Sequence, residues 1–227
     1  RQRQMCIRDS MGGDLPKQFI PMRGKPLLMH TLEAFHRWDA SARIILVLPE
    51  DHQPYWNMLC KEIGCKVPHA IVKGGDTRFF SVKNGLDWLL AERRRKGEED
   101  SGLSLVAVHD GVRPFVSPEV VEACFDKAAV TGAVIPVVPM IDSLRETDEK
   151  GSHPVDRSRY MAVQTPQVFL LELLTKAYEQ PYSSLFTDDA SVVEAMGHAI
   201  DTVPGDRENI KITTPFDLLI AEAMFAR

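Results

Sequence analysis

The chain has 227 residues, 44% of them hydrophobic and 26% charged, which is ordinary for a globular protein with a sizeable core and unlike a disordered one. A formal net charge of -5 argues against a general binder of nucleic acid or anionic membrane, so any anionic ligand has to be met by a few placed cations. No apolar run approaches a membrane span and no signal peptide stands out, which predicts a cytoplasmic protein.

Residues 1–10, RQRQMCIRDS, carry neither strand alternation nor helical periodicity and read as a foreign segment joined to a natural chain that begins at Met11. Lys25-Pro26 opens a stretch with Leu28, Leu32 and Phe35 at helical spacing, predicting a helix to about Trp38. The run Ile44–Leu48, stopped by Pro49, has the pattern of a strand buried on both faces of a parallel sheet. A helix over Pro54–Ile63 follows, then a short strand at Ala70–Val72 that ends in Gly74-Gly75. From Arg78, residues Phe79, Val82, Leu86, Leu89 and Leu90 keep helical spacing. The basic run Arg93–Lys96 is followed at once by Glu98, Glu99 and Asp100, and reads as a solvated helix end rather than a nucleic-acid patch.

Ser104–Val108 is a further buried strand running into His109-Asp110-Gly111, and Ser117-Pro118-Glu119 is a strong helix start, with Ser117 as cap. Ala133–Val138 makes another strand. Between about 140 and 162 the regular pattern breaks into two polar strands around Glu149-Lys150-Gly151. With little to bury by itself, this hairpin is expected to project as a β-arm, and such an arm usually finds a partner subunit. Helices near Leu170–Glu179 and Asp188–Met196 (Thr187 as cap), a strand at Ile200–Val203 and a last helix from Pro215 complete the chain. Alternation of strands and helices predicts one α/β domain over 11–227: a Rossmann-like, mostly parallel, doubly wound sheet with the projecting arm.

In such sheets ligands gather beyond the carboxyl ends of the strands. Four polar segments fall there: Gly74–Arg78, His109–Pro114, Gln164–Gln167 and Asn209–Thr213. Each alone is weak; Gly-Gly-Asp suits a plain turn, and Asp110 with Arg113 suits an internal ion pair as well as a ligand site. Cysteines 6, 60, 65 and 124 form no CxxC pair and no zinc spacing, so they read as reduced thiols.

Taken in order, MGGDLPKQF (11–19), GGDTR with Ser81, VHDGVRPF (108–115), VDR (155–157), QTPQVF (164–169), TDDASVVE (187–194) and NIKITTPFDL (209–218) resemble the 2-C-methyl-D-erythritol 4-phosphate cytidylyltransferase family of Rossmann-like nucleotidyltransferases. The resemblance runs from Met11 to the end. It implies in-line attack of a sugar-alcohol phosphate on the α-phosphorus of CTP with loss of pyrophosphate, a reaction that needs positioning and cations rather than a protein nucleophile. By that analogy Lys17, Arg157 and Lys211 are the catalytic cations. Gly75, Asp76, Arg78, Ser81, Asp110 and Arg113 line the nucleotide, and Asp110 meets Mg²⁺, a usual pairing for a carboxylate. Ser143, Arg157, Thr165 and Lys211 hold the acceptor. Ser143 and Arg157 lie in the arm, so the resemblance implies a homodimer with each site completed by its partner.

The resemblance also implies an entry strand and a glycine-rich loop of the form AxGxGxRM. Here only Met11 matches; Ser10 stands in the arginine's place and Arg8 is two positions away. Each large aliphatic side chain buried is worth roughly 1.5–3 kcal/mol, against about 5–15 kcal/mol for a whole domain. Loss of a central strand is therefore expected to leave this exact polypeptide poorly folded and nearly inactive. The rival readings are ribitol 5-phosphate cytidylyltransferase and a non-catalytic nucleotide-binding homologue.

Overall fold

The computed structural model describes residues 15–98, 103–149 and 151–226; the segment 1–10 read as foreign, and the expected glycine-rich loop, lie outside them. Lys17–Phe19 forms a single 3-10 turn, followed by a minimal hairpin, β1 (Pro21–Met22) and β2 (Lys25–Pro26), that feeds helix α1 (Leu27–Trp38). Strand β3 (Ile45–Leu48), helix α2 (Gln53–Ile63), strand β4 (Ala70–Lys73) and helix α3 (Arg78–Arg95) follow. Gly64, at φ 73°, stops α2 in the left-handed conformation that suits glycine at a helix end. Glu92 gathers Arg95 and Lys96 at the end of α3, so the basic run is a solvated helix terminus as its composition predicted.

Next come β5 (Leu105–Val108), α4 (Pro118–Thr131), β6 (Ala133–Pro139), the arm strands β7 (Arg145–Asp148) and β8 (Gly151–Pro154), β9 (Met161–Val163) and β10 (Gln167–Leu170). Helices α5 (Leu171–Ala177) and α6 (Asp189–Glu194), strand β11 (Asp201–Pro204) and helix α7 (Pro215–Phe225) finish the chain. Ser117 caps α4 by accepting the Val120 N–H at 3.3 Å, as expected. The cap of α6 is Asp188, not Thr187: its carboxylate accepts the Ser191 N–H at 2.9 Å, and the Ser191 hydroxyl accepts the Asp188 N–H in return.

The main sheet runs β11-β6-β10-β5, with β9 also on β6, and β3 pairs with β4 in parallel. Strands β5, β6 and β11 share one direction and β10 opposes them. Strands β9 and β10 are two pieces of one antiparallel run along β6, broken at Gln164–Pro166, where Gln164 N–H still reaches Pro136 O at 2.9 Å. Pro166 has no N–H for the ladder, which accounts for the break. Strand β10 has no counterpart in the sequence reading. Its four residues pass directly into α5, so Val168-Phe169-Leu170-Leu171 looks like one apolar run of ambiguous period.

Alternate residues of this sheet face opposite layers. Ala133 and Phe169 join Phe79, Leu174, Tyr178 and Val193 on one side, whereas Val134 and Val168 join Cys124, Ala128 and Val203 on the other. Phe19, Leu28, Leu46, Leu48 and Trp56 pack a third cluster around β3. The arm strands β7 and β8 are exposed along their whole length, as their polar composition required. No helix among the described residues is long and apolar enough to cross a membrane.

Phe169 is fully buried in the strand that the sequence concealed. Phe169→Ala is expected to cost about 3–5 kcal/mol of stability, read as a lower urea midpoint at unchanged slope. A shift worth less than about 1 kcal/mol would mean that β10 is not a core strand.

Candidate functional site

The loop after β5 turns tightly, Arg113 N–H bonding Asp110 O at 3.0 Å. Arg113 then returns its side chain, Nε donating to Asp110 Oδ2 at 3.1 Å, while its Nη1 donates to Asn209 O at 2.8 Å. Lys211 Nζ lies 3.1 Å from the same Asp110 oxygen. Burial alone would raise the Asp110 carboxyl, but the Lys211 ammonium and the Arg113 guanidinium overcome it and hold the group below its ordinary range. Of the two readings open for Asp110 and Arg113, the internal ion pair is therefore present, with a second cation on the same oxygen.

His109 supports this loop from below. Its Nε2 lies 3.0 Å from Arg113 O, and a carbonyl only accepts, so Nε2 carries the proton. Nδ1 then accepts the Thr165 hydroxyl at 3.0 Å, and that oxygen in turn accepts the Asp110 N–H at 3.1 Å. Burial beneath Phe35 (ring centroids 4.7 Å apart) pushes the imidazole down to about 4. Thr165, expected at the acceptor, thus spends its buried hydroxyl on joining His109 to the Asp110 backbone.

Three hydrogen bonds, two of them from side-chain amides to carbonyls, bring the β11–α7 segment to this loop and to the neighbouring Gln164–Thr165 stretch. Asn209 Nδ2 donates to Thr165 O at 2.8 Å, Gln164 Nε2 donates to Asp206 O at 2.7 Å, and Ile212 N–H bonds Val112 O at 3.0 Å. Beyond Lys211, the Asp217 carboxylate accepts both Thr213 N–H (2.8 Å) and Thr214 N–H (2.7 Å), completing the capping box of α7. The buried Lys17 ammonium donates to Thr213 O. Burial lowers its pKa, Asp217 opposes that, and the charge of Lys211 lowers it further, so the two lysines feel one another.

The loop after β4 is shaped by the first turn of α3. Ser81 Oγ accepts Gly75 N–H at 3.1 Å and donates to Thr77 O at 2.9 Å; a Cβ on Gly75 would collide with the Cβ of Phe80. Asp76 is exposed. Arg78, expected along the nucleotide, instead gives its guanidinium to Asp189, with Nη1 3.0 Å from Oδ1 and Nη2 on Oδ2. Ser143 and Arg157 sit exposed on and beside the arm, where Arg157 donates to Ile141 O.

Within one chain, then, Lys17, Lys211, Arg113, Asp110 and Thr165 converge, and Ser143 and Arg157 stand apart on the arm. His109, Gln164, Asn209, Asp189 and Asp217 complete the arrangement although the sequence reading gave them no role. Only Asp217 left a readable signal, the Thr214-x-x-Asp217 spacing of a capping box. No group of three or more His, Cys, Asp or Glu side chains able to hold a metal ion occurs among the described residues. Asp110 offers a carboxylate to which both Lys211 and Arg113 turn, which suits Mg²⁺, an ion commonly held by one or two carboxylates together with substrate phosphates.

The sequence model described as IspD, 2-C-methyl-D-erythritol 4-phosphate cytidylyltransferase, matches residues 8–227. The cytidylyltransferase of that name from Bacteroides fragilis is 54% identical over 214 residues, 94% of this chain and 93% of its own. That from Porphyromonas gingivalis is 50% identical over 216 residues, covering 94% and 91%. Among solved structures, the 2-C-methyl-D-erythritol 4-phosphate cytidylyltransferase of Thermus thermophilus superposes with a TM-score of 0.72 at 32% identity, over 96% of both chains. The 4-diphosphocytidyl-2C-methyl-D-erythritol synthase of Anaerococcus prevotii gives 0.76 at 27% identity, over 96% and 93%.

The neutral His109 ring has a consequence for stability. An unfolded imidazole takes up its proton near 6.5, the folded ring only near 4, so between these values the unfolded state binds more protons. Stability is full above pH 6.5 and is expected to fall by on the order of 2–3 kcal/mol as pH drops toward 4. Denaturant titrations at pH 7 and 4.5 check this, with His109→Gln expected to lose less than the parent on acidification; equal losses would remove the neutral-ring assignment.

Proposed function

We infer that the chain, which belongs to the 2-C-methyl-D-erythritol 4-phosphate cytidylyltransferase family, transfers the cytidylyl group of CTP to 2-C-methyl-D-erythritol 4-phosphate and releases pyrophosphate, a step of isoprenoid precursor synthesis. The observation that carries the reading is the convergence of Lys211 and Arg113 on Asp110 beyond the end of β5, with Lys17 near enough to feel the charge of Lys211. A phosphate oxygen of the acceptor attacks the α-phosphorus, and the bond to the bridging oxygen of pyrophosphate breaks with its electron pair on the leaving group. Negative charge gathers on the non-bridging and leaving oxygens, and fixed cations there need no reorganisation as it develops.

Lys17 is held by Thr213 O on one side of this space and Lys211 by Asp110 on the other. Arg113 is more deeply set, with both its Asp110 and Asn209 contacts made, and acts by keeping Asp110 ionised and in place. Asp110 is the residue that would hold a divalent cation, which when bound neutralises charge on the triphosphate. Gly75 and Ser81 offer a main-chain carbonyl and a hydroxyl to the cytosine edge, and Asp76 stands exposed beside them.

Arg157 and Ser143 would reach the acceptor phosphate of a second copy. The arm supports this with solvent-facing Ile141, Tyr160, Met161 and Val163, apolar surface of the kind that dimers bury. A homodimer in the cytoplasm, each site finished by its neighbour's arm, is the assembly these features favour.

Lys17→Ala and Lys211→Ala are each expected to lower kcat by about 10²–10³, measured as pyrophosphate release with CTP. Turnover near the parental value in either would remove that lysine from the site. The same assay with ribitol 5-phosphate in place of the methylerythritol substrate is expected to give little product; a preference for ribitol phosphate would reassign the acceptor.

Mixing Arg157→Ala with Lys211→Ala subunits tests the arm. If sites form across the dimer, the 1:1 mixture is expected to recover about a quarter of parental activity, the statistical share of restored sites. No recovery after verified subunit exchange would place Arg157 in its own chain's site.

A further inference from the structure

Next to the Gly74–Asp76 turn, at the start of α3, lies a second charged cluster, close enough to Asp110 for Arg78 to feel its charge. Asp189, the first residue of α6, has no exposed surface. Its carboxylate takes Arg78 Nη1 at 3.0 Å on Oδ1 and Nη2 on Oδ2, and it accepts the Tyr178 hydroxyl at 2.5 Å. Tyr178 is itself buried and stacks on Phe79, ring centroids 4.7 Å apart. The start of α3 is thereby fastened to the start of α6 and the end of α5.

That fastening matters because the first turn of α3 forms the mould of the loop. Thr77 caps the helix by accepting Phe80 N–H at 3.3 Å, Phe80 fills the space a side chain at position 75 would need, and Ser81 holds Gly75 N–H at 3.1 Å. Gly75 O has only a long contact with Ser81 Oγ, at 3.4 Å, whose single proton is better placed on Thr77 O at 2.9 Å. The carbonyl of Gly75 is thus an acceptor whose position follows that of the helix start. A buried ion pair often contributes no more stability than apolar residues of the same size, so its fixed geometry is the better reason to look for a role.

We propose that Asp189, acting through Arg78 and Tyr178, is a positioning residue that sets the Gly75 main chain for the base of the nucleoside triphosphate and so tightens selection of an amino-bearing pyrimidine. Asp189 touches no substrate in this role. Arg78 correspondingly serves the nucleotide site from beside the loop and not by contact. The inference rests on the cytidylyl-transfer reading and deepens it. Uracil presents a carbonyl where cytosine presents an amino group, so a displaced Gly75 carbonyl weakens CTP binding and relaxes discrimination against UTP.

The test uses the full chain, with steady-state kinetics on CTP, UTP and the acceptor alongside urea unfolding. Asp189→Asn keeps an acceptor for Tyr178 but removes the charge that orients Arg78, and is expected to raise the KM for CTP roughly ten-fold and narrow the CTP-to-UTP ratio of kcat/KM. The kcat at saturating CTP and the KM for the acceptor are expected to stay within about two-fold of the parent. Tyr178→Phe, which leaves the ring stack in place, should move the same constants in the same direction by less, and stands in if Asp189→Asn does not fold. Leu174→Val, a core change among the same helices, should lower the unfolding midpoint without moving the CTP constants. Variants at 189 and 178 that lose stability while keeping parental CTP binding and base preference would overturn the proposal, as would an effect confined to the acceptor. A parent that turns over UTP as readily as CTP would sink the cytidylyl reading itself.

Discussion

Like charges drawn to within a few ångströms repel one another, and a phosphate-transfer site must hold its cations against that repulsion before any phosphate arrives. At about 4 Å and an effective dielectric constant of 20, two unit charges interact by about 4 kcal/mol. The described residues answer this with carboxylates set between the cations. Asp110 takes Lys211 and Arg113 on one oxygen, and Asp217, which also fastens Thr213 and Thr214, offsets the burial of Lys17. Both carboxyls sit below their ordinary range in spite of burial, the electrostatic signature of groups kept ionised by their neighbours. The acidic balance of the whole chain is consistent with a local design of this kind, since the cations are concentrated by geometry rather than by composition.

That geometry is built largely from side-chain amides bonding the carbonyls of loops that leave the same edge of the sheet. Strands β5 and β6 share a direction and β10 runs between them in reverse, so the start of β10 lies beside the end of β5 and brings Gln164 and Thr165 to the loop that carries Asp110. Asn209 and Gln164 then tie the β11–α7 segment to the same place. The break between β9 and β10 is therefore where the sheet exchanges ladder hydrogen bonds for contacts that hold the site. The co-directional strands β5, β6 and β11 supply the edge, and the antiparallel run of β9 and β10 supplies the crossbrace.

Much of this was legible in the sequence where the signal is local. The alternating strands and helices, Ser117 as a cap, and the exposed polar arm follow from periodicity and turn chemistry within a few residues. Lys17, Asp110, Arg113 and Lys211 were placed by resemblance, and the structure brings them together. What stayed hidden depends on distant partners. Nothing near Arg78 announces Asp189, which is 111 residues away, so its guanidinium read as a ligand group when it is committed to a buried carboxylate. Thr165 likewise looked like a hydroxyl for substrate because its two partners, His109 Nδ1 and Asp110 N–H, are 56 and 55 residues distant. Strand β10 was lost for a different reason: Gln167 and three apolar residues fused to a helix have no period to read.

The two arginine–aspartate pairs show why identical chemistry has different uses. Asp189 is fully enclosed and both its oxygens are taken, by a two-pronged guanidinium and a tyrosine hydroxyl; exchanging any of these for a ligand would leave a buried charge short of donors, which is costly. Asp110 gathers Arg113 and Lys211 on Oδ2, and its Lys211 partner is nearly half exposed on the end of a flexible stem. A phosphate can draw that ammonium away without stranding Arg113, because Asp110 and Asn209 still hold the guanidinium. In the first pair the carboxylate is enclosed and gripped by two prongs of one guanidinium, so it transmits position. In the second, a single ammonium on a flexible stem shares its oxygen with Arg113, so it can leave when substrate binds.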